Sequence, residues 1–391
     1  MNRKQNPTRR FSGVLAIVIA TTLVAPDVSA QSARAAQILE PRPITGPQTC
    51  ATSSCHGGAD EKSRQFVMWS QHDVHSRAYA TLTTARSARM AEALKIPDAT
   101  TSARCTTCHA PAQTVSPSLL AADAKVEHGV SCVSCHGTGD SWLRSHTRPD
   151  LTHGERVAAG MRDVKSLYQR ANTCVACHQN IEPALLSVGR HPALYFELDG
   201  QTQSQPKHWS EPAGRSGAQA WFVGQAVALR ETSRALANGQ NPDSGRANPH
   251  WQALVWLVQK AAFGPVAAAA GKLPLSFSPA NASAAQQVSD QVAQNSTADW
   301  TTAEIKQTLI RLANTHTEFS DQKIAALSHA CRAERLVMGL DRLLAALPKA
   351  DSPAGVSAQL DQLFRLVQSQ PEFIPAIFAR ELATFAQLVG K

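Results

Sequence analysis

Residues 129–139 of this 391-residue chain read GVSCVSCHGTG, with two cysteines separated by two residues and followed at once by a histidine. The same pattern recurs at residues 105–109 (CTTCH) and 174–178 (CVACH). A looser version, with four residues between the cysteines, occupies residues 50–56 (CATSSCH). Eight of the nine cysteines therefore form four pairs, and a histidine follows each pair directly.

A cysteine pair followed by histidine is the attachment signature of c-type haem. The thiols bond to the porphyrin vinyl groups and the histidine binds the iron. Zinc sites and disulfides also use cysteine pairs, but neither requires that histidine. We therefore predict four covalently bound haem c groups with their iron, and at the first motif we expect the extra residues to loop out. The predicted attachment residues are Cys50, Cys55, Cys105, Cys108, Cys132, Cys135, Cys174 and Cys177, and the predicted proximal ligands are His56, His109, His136 and His178.

The second axial position of each iron separates an electron carrier from an enzyme. A second histidine closes the iron, whereas an open position permits substrate binding. The cysteine-rich region holds more further histidines than four irons need, which favours two histidines on every iron. These histidines are His72, His75, His128, His146, His153, His191 and His208. Of these, we expect His153 at the surface or against a haem propionate.

The motif region resembles the tetrahaem cytochrome c-554 family over roughly residues 47–180. Trp69 and residues 75–82 (HSRAYATL) are similar to the family's Trp-x5-His-x-x-Ala helix, and residues 129–139 are similar to its most distinctive segment. His146 follows that segment, as a histidine does in the family. The resemblance implies His75 as the second ligand of the third haem, His146 as that of the first, and haems packed together as a wire.

The sequence departs from this family pattern in two places. The second haem of the type member is five-coordinate, but here His128 lies just before the third motif, so we expect it to bind the second iron. For the fourth iron we expect His191, with His208 in reserve. His72 lies three residues before His75 on the same predicted helix and is held in reserve for it.

Three segments are expected along the chain. Residues 1–30 combine a basic start, an apolar run and small residues at positions 28 and 30, which predicts a cleaved signal peptide and a periplasmic protein. Residues 31–215 hold every haem motif and show little periodicity. Residues 216–391 are rich in Ala and Leu at helical spacing. The expected fold class is mainly α with much irregular structure: a multihaem c-type cytochrome domain followed by a helical bundle of unknown role.

The leading functional hypothesis is a periplasmic electron carrier that acts between other redox proteins, such as cytochromes, a dehydrogenase or a reductase. The alternative is a multihaem reductase that acts on a small nitrogen or sulfur compound at one open haem. A third hypothesis is a subunit of a larger redox complex, with the helical region as its docking module. The odd cysteine, Cys331, is expected to be a buried and inert thiol.

Charge and hydropathy exclude other classes. Residues 1–30 contribute +3 of the formal net charge of +8, and haem propionates lower the remainder further. The charge therefore gives no reason to expect nucleic-acid binding. After residue 30 no stretch is apolar and long enough to span a membrane.

Overall fold

The computed structural model describes residues 42–239, 245–349, 353–368 and 373–390. The predicted signal peptide, residues 1–30, lies outside these ranges. The described chain consists of α-helices, short 3-10 turns and irregular segments, and its β structure is confined to isolated bridges at Ile44. The predicted mainly α fold class is confirmed.

Short helices joined by irregular segments form the region of the four motifs. Its helices are α1 (Gln65–His72), α2 (Ala78–Leu82), α3 (Ala85–Ala93), α4 (Ala103–His109), α5 (Cys132–His136), α6 (His153–Ala158), α7 (Leu167–His178), α8 (Pro183–Ser187) and α9 (Leu198–Ser204). This region has two small apolar clusters, around Ile44 and around Leu82, while Phe196 is buried in a larger core with residues of α7 and α9. Such small clusters are not enough to hold a region of this length together.

Longer helices form the second half of the chain. They are α10 (Gly217–Ala237), α11 (Ala247–Ala261), α12 (Gly264–Ala270), α13 (Ala282–Asn295), α14 (Thr302–Ala313), α15 (Ala326–Ala345), α16 (Val356–Gln368) and α17 (Pro375–Val389). Their apolar faces enclose one large core around Trp221, Trp251 and Phe378. Thr301 and Glu304 cap the start of α14 with the reciprocal hydrogen bonds of a capping box.

Helix α7 joins the two regions. It carries the last cysteine motif, and its residues Leu167, Ala171 and Val175 are buried in the same core as Trp221 of α10. The bundle core therefore extends across residue 215, where the sequence predicts a domain boundary. Independent folding of residues 216–391 remains a prediction.

None of the described helices combines the length and the apolar character needed to cross a bilayer.

Candidate cofactor site

Three of the four motifs occupy the last turn of a helix. Helix α4 ends at His109, α5 at His136 and α7 at His178. Residues three and four positions apart lie on the same face of a helix. Both thiols and the imidazole of each motif therefore share one face, as attachment to a single porphyrin requires.

The first motif takes up its two extra residues in a turn. Cys50 ends a 3-10 turn, Pro47–Cys50. The His56 backbone N–H donates to the Cys50 carbonyl at 3.1 Å, and inside this loop the Cys55 N–H donates to the Thr52 carbonyl at 2.9 Å. The ends of the motif are therefore held together, with the extra residues looped out as expected.

Each predicted proximal histidine faces a second histidine from a distant part of the chain. The four pairs have ring centroids 5.9 to 6.5 Å apart: His56 with His146, His109 with His191, His136 with His208, and His178 with His75. A bond from a metal to an imidazole nitrogen is about 2 Å long, and the ring centre lies about 1 Å beyond, so two imidazoles on opposite sides of one metal have centroids roughly 6 Å apart. The spacing of all four pairs fits one iron between each pair.

Hydrogen bonds to Nδ1 orient most of these rings. An imidazole that donates Nδ1–H to an acceptor keeps Nε2 as the nitrogen available to a metal. Acceptor oxygens lie 2.8 to 3.3 Å from Nδ1 in five of these histidines: His56, His75, His109, His191 and His208. The Leu143 carbonyl accepts from Nδ1 of His146 in the same way.

The pairing differs from the sequence-based assignment at three of the four motifs. His146 faces His56, as the resemblance implies, but His75 faces His178 of the fourth motif and not His136 of the third. His191 was expected at the fourth motif and instead faces His109 of the second. His208, the reserve residue, faces His136. Spacing along the chain gave no information on these contacts, because residues far apart in sequence form them.

His128 does not face a proximal histidine. Its ring lies edge-on to Trp69, with centroids 6.5 Å apart. Its Nδ1 accepts a hydrogen bond from the backbone N–H of Lys125 at 3.3 Å, so the tautomer carries its proton on Nε2. The structure therefore brings His191, and not His128, to the second motif, which differs from the expectation.

His72 and His75 do not share a helix, contrary to the expectation. Helix α1 ends at His72, whose side chain is exposed. Asp73 then caps a separate 3-10 turn, Val74–Arg77, by accepting the His75 backbone N–H. The cap redirects the chain, so that the His75 ring faces His178 while His72 stays exposed.

Gly129 fixes the place of this turn relative to the third motif. Its φ is +62°, and a Cβ atom there would lie 2.6 Å from the His75 carbonyl oxygen. That carbonyl accepts the N–H of Val130 at 3.0 Å, and the Val130 carbonyl accepts from the Trp69 indole at 3.0 Å. The geometry of this turn thus needs glycine at position 129.

The comparisons with known proteins address the same segment. Residues 49–137 match the family model for cytochrome c554 and c-prime. This segment has a cytochrome c554-type sequence. The match confirms the resemblance over the first three motifs and supports a c-type cytochrome role in electron transfer, with covalently bound haem c. Comparisons with curated proteins and with solved structures gave no match.

The space beside the second motif suits a cofactor in this cytochrome-type region. A cavity of about 300 Å³ opens between His109 and His191 and is lined by Cys105, Cys108, Leu82 and Met90, among others. This volume lies within the range of cofactor and ligand pockets. Its largely apolar lining, with three thiols and two imidazoles, fits a porphyrin with its iron.

Burial keeps the central histidines neutral, which is the form that binds metals. Burial, together with the neighbouring His208 and His56, lowers the pKa of His136 to about 4. Burial, followed by the effects of His75 and His109, lowers the pKa of His178 to about 4. Both imidazoles are therefore unprotonated at neutral pH.

Contacts between motifs place the four sites in one continuous group. Thiol hydrogen bonds join Cys50 to Cys132 and Cys108 to Cys177. The first motif therefore adjoins the third, and the second adjoins the fourth. Burial, and then the nearby Cys135 thiol, raise the pKa of Cys174 to about 12, so the third and fourth motifs are neighbours as well.

A second group of metal-ligand side chains, missed in the sequence, lies between α11 and α15. Ligand atoms of His250, Cys331 and Glu334 lie within 4.8 Å of one another. The Arg246 guanidinium already donates to Glu334 at 3.1 Å and to His250 at 3.4 Å. Because a cation is already in place, these contacts describe an ion-pair cluster rather than a metal site.

Cys331 within this cluster is fully buried. Burial, followed by the effect of Glu334, raises the pKa of its thiol to about 11. The thiol is therefore protonated at neutral pH, as expected for an inert cysteine.

Proposed function

We propose that this protein is a periplasmic tetrahaem c-type cytochrome that passes electrons between redox proteins, with two histidines on each of its four irons. The observation that carries the proposal is the set of four facing histidine pairs, each of which includes the last residue of one cysteine motif. The proposed axial pairs are those four.

The pairing favours an electron carrier over a reductase. An iron with two protein ligands has no position left for a substrate, so it exchanges electrons without binding small molecules. The reductase hypothesis requires one open iron. A histidine faces the proximal histidine at every motif, including the second one, where the family's type member is open.

The contacts between motifs support a route for electrons. The first motif touches the third, the third lies beside the fourth, and the fourth touches the second. In this order the haem edges would lie close together along the whole path. We expect electrons to enter and leave at the haems of the first and second motifs, which end the series.

Disulfides explain the same residues less well. Bonds from Cys50 to Cys132 and from Cys108 to Cys177 would use the two close thiol contacts. They would leave four motif cysteines unused and would give no role to the facing histidines. Covalent haem accounts for the thiols and the imidazoles together.

The test is mass spectrometry and visible spectroscopy of the purified holoprotein. We expect a mass increase equal to four haems, an N-terminus near Gln31, and a wholly low-spin spectrum that carbon monoxide does not change. Three haems with free thiols at Cys50 and Cys55 would show that the first motif binds no haem. A high-spin signal that responds to carbon monoxide would favour the reductase.

A further inference from the structure

Asp73 is a buried carboxylate in contact with an axial histidine. Only 2% of its surface is exposed. Its Oδ1 atom accepts the Nδ1–H of His75 at 2.9 Å and the His75 backbone N–H at 3.0 Å. Its Oδ2 atom accepts from the Gln205 side-chain amide at 3.0 Å. Both oxygens are therefore fixed by neutral donors.

These hydrogen bonds keep the carboxylate charged. Three donors meet the two oxygens, and a carboxylate accepts from all of them, whereas a protonated carboxyl group would itself have to donate from one oxygen. A negative charge therefore lies beside the His75 ring, in a place that water barely reaches. Electrostatic interactions there are weakly screened.

His75 differs in this contact from the other axial histidines. Among the hydrogen bonds of the described residues, Nδ1 of five other axial histidines faces a neutral amide or carbonyl oxygen: His56, His109, His146, His191 and His208. A carboxylate that accepts Nδ1–H draws the proton towards itself and makes the ring a stronger electron donor. A neutral carbonyl has a weaker effect.

We propose that Asp73 lowers the reduction potential of the fourth-motif haem by holding the Nδ1–H of its axial ligand His75. This inference rests on the proposed function, because it takes His75 and His178 as the ligands of one iron. A stronger donor and a nearby negative charge both stabilise Fe(III) over Fe(II). Asp73 is a positioning and tuning residue that acts through His75.

The charge also reaches the third motif, more weakly. Asp73 acts electrostatically on Cys135 and on His208, although it forms no hydrogen bond to either of them. Gln205 lies three residues before His208 and holds the other carboxylate oxygen. The third and fourth haems lie in the middle of the proposed route, so the lowered potential would fall on an internal step of the electron path.

The test is a spectroscopic redox titration of the holoprotein with Asp73→Asn, which keeps the shape of the side chain and removes the charge. We expect the reduction potential of one of the four haems to rise by at least about 59 mV, which is a tenfold change in the equilibrium constant of that one-electron step. A second step should shift less. In the paramagnetic resonance spectrum, the g-values of one low-spin haem should spread further apart.

The matched control is Asp163→Asn. Asp163 also accepts from an imidazole, at 2.9 Å from Nε2 of His153, but His153 faces no proximal histidine. This variant removes a charge of the same sign and size, and it should leave the reduction potential of the fourth-motif haem unchanged. An equal shift in both variants would attribute the effect to net charge and overturn the proposal.

A second variant covers the case in which Asp73→Asn fails to mature. Gln205→Ala removes one neutral donor and leaves the charge, so the fourth-motif potential should stay constant or fall. A rise would overturn the proposal. Haem count and spin state are measured first in the unmodified protein. Fewer than four haems contradict the proposed function, whereas four low-spin haems with unmoved potentials in Asp73→Asn contradict this inference alone.

Discussion

The imidazole rings of His109 and His191 face each other with centroids 6.5 Å apart. His109 ends α4, while His191 follows α8 in an irregular segment. His191 reaches the second motif because its backbone N–H donates to the Leu185 carbonyl at 2.8 Å, which folds the segment back on α8. In the proposed assignment, this contact closes the position that an open, substrate-binding haem would need.

The first prediction concerns the ligand of the second haem. His191→Ala should convert one of four low-spin haems to high-spin, because its iron loses one of two imidazoles. Visible and paramagnetic resonance spectra measure the change. His128→Ala is the control and should leave four low-spin haems. The opposite result, with a high-spin haem only after His128→Ala, would identify His128 as the second ligand of the second haem.

The second prediction concerns the turn beside the third motif. Gly129→Ala should destabilise the protein by about 1–3 kcal/mol, because alanine is strained at positive φ and its methyl group would press on the His75 carbonyl. Thermal unfolding of the holoprotein measures this loss. Gly154→Ala is the control, since a Cβ atom there meets nothing within 4 Å. Equal midpoints for both variants would contradict the role given to Gly129.

The third prediction concerns acid stability. Glu211 accepts hydrogen bonds from Arg170 at 2.6 Å and from the Trp209 indole at 2.7 Å. Although burial opposes ionisation, these bonds and Arg215 lower the pKa of Glu211 to about 2. The carboxylate is thus more acidic in the folded protein than in the unfolded chain, where its pKa is about 4.3.

A group of this kind stabilises the fold above its unfolded pKa, and the contribution disappears as the pH falls through its folded pKa. Glu211→Gln should therefore lower stability by about 1–2 kcal/mol at neutral pH and have little effect near pH 2. Thermal midpoints measured from pH 7 to pH 2 test this. Asp150→Asn breaks an exposed pair with Arg148 and should change little at any pH.

The fourth prediction concerns the connection between the two regions. Leu167 of α7 is 3% exposed and packs in the bundle core. Leu167→Ala should lower the free energy of unfolding by about 2–4 kcal/mol. It should lower the midpoints of two thermal transitions together, one followed by haem absorbance and one by helical circular dichroism. Leu275→Ala, at an 81% exposed position, should change neither. A shift in circular dichroism alone would mean that residues 216–391 unfold separately.

Several features were predictable because their causes are local in the sequence. Each cysteine motif with its histidine spans five to seven consecutive residues, so its chemistry can be read within that short stretch. In the second half of the chain, Ala and Leu at helical spacing predicted helices. Three of these leucines in α15, Leu336, Leu340 and Leu343, are fully buried. Helical periodicity depends on neighbours three and four positions away.

The second axial histidines were harder to assign, because each contact joins distant segments. Nearness to a motif suggested His128, yet the Lys125 N–H and Trp69 hold that ring elsewhere. Asp73 and Gln205 were missed for the same reason, since their hydrogen bond joins the end of α1 to the segment after α9. The sequence of a motif does not show which distant side chain completes its site.

The sequence alone determined that the chain is mainly helical and which cysteines and histidines form the four motifs, because helical periodicity and attachment chemistry depend on residues close together in the chain. The tertiary structure decided which second histidine meets each motif. It also placed α7 in the bundle core and a buried Asp73 charge beside His75. These features depend on packing between segments far apart in the chain, and such contacts form only when the whole chain folds.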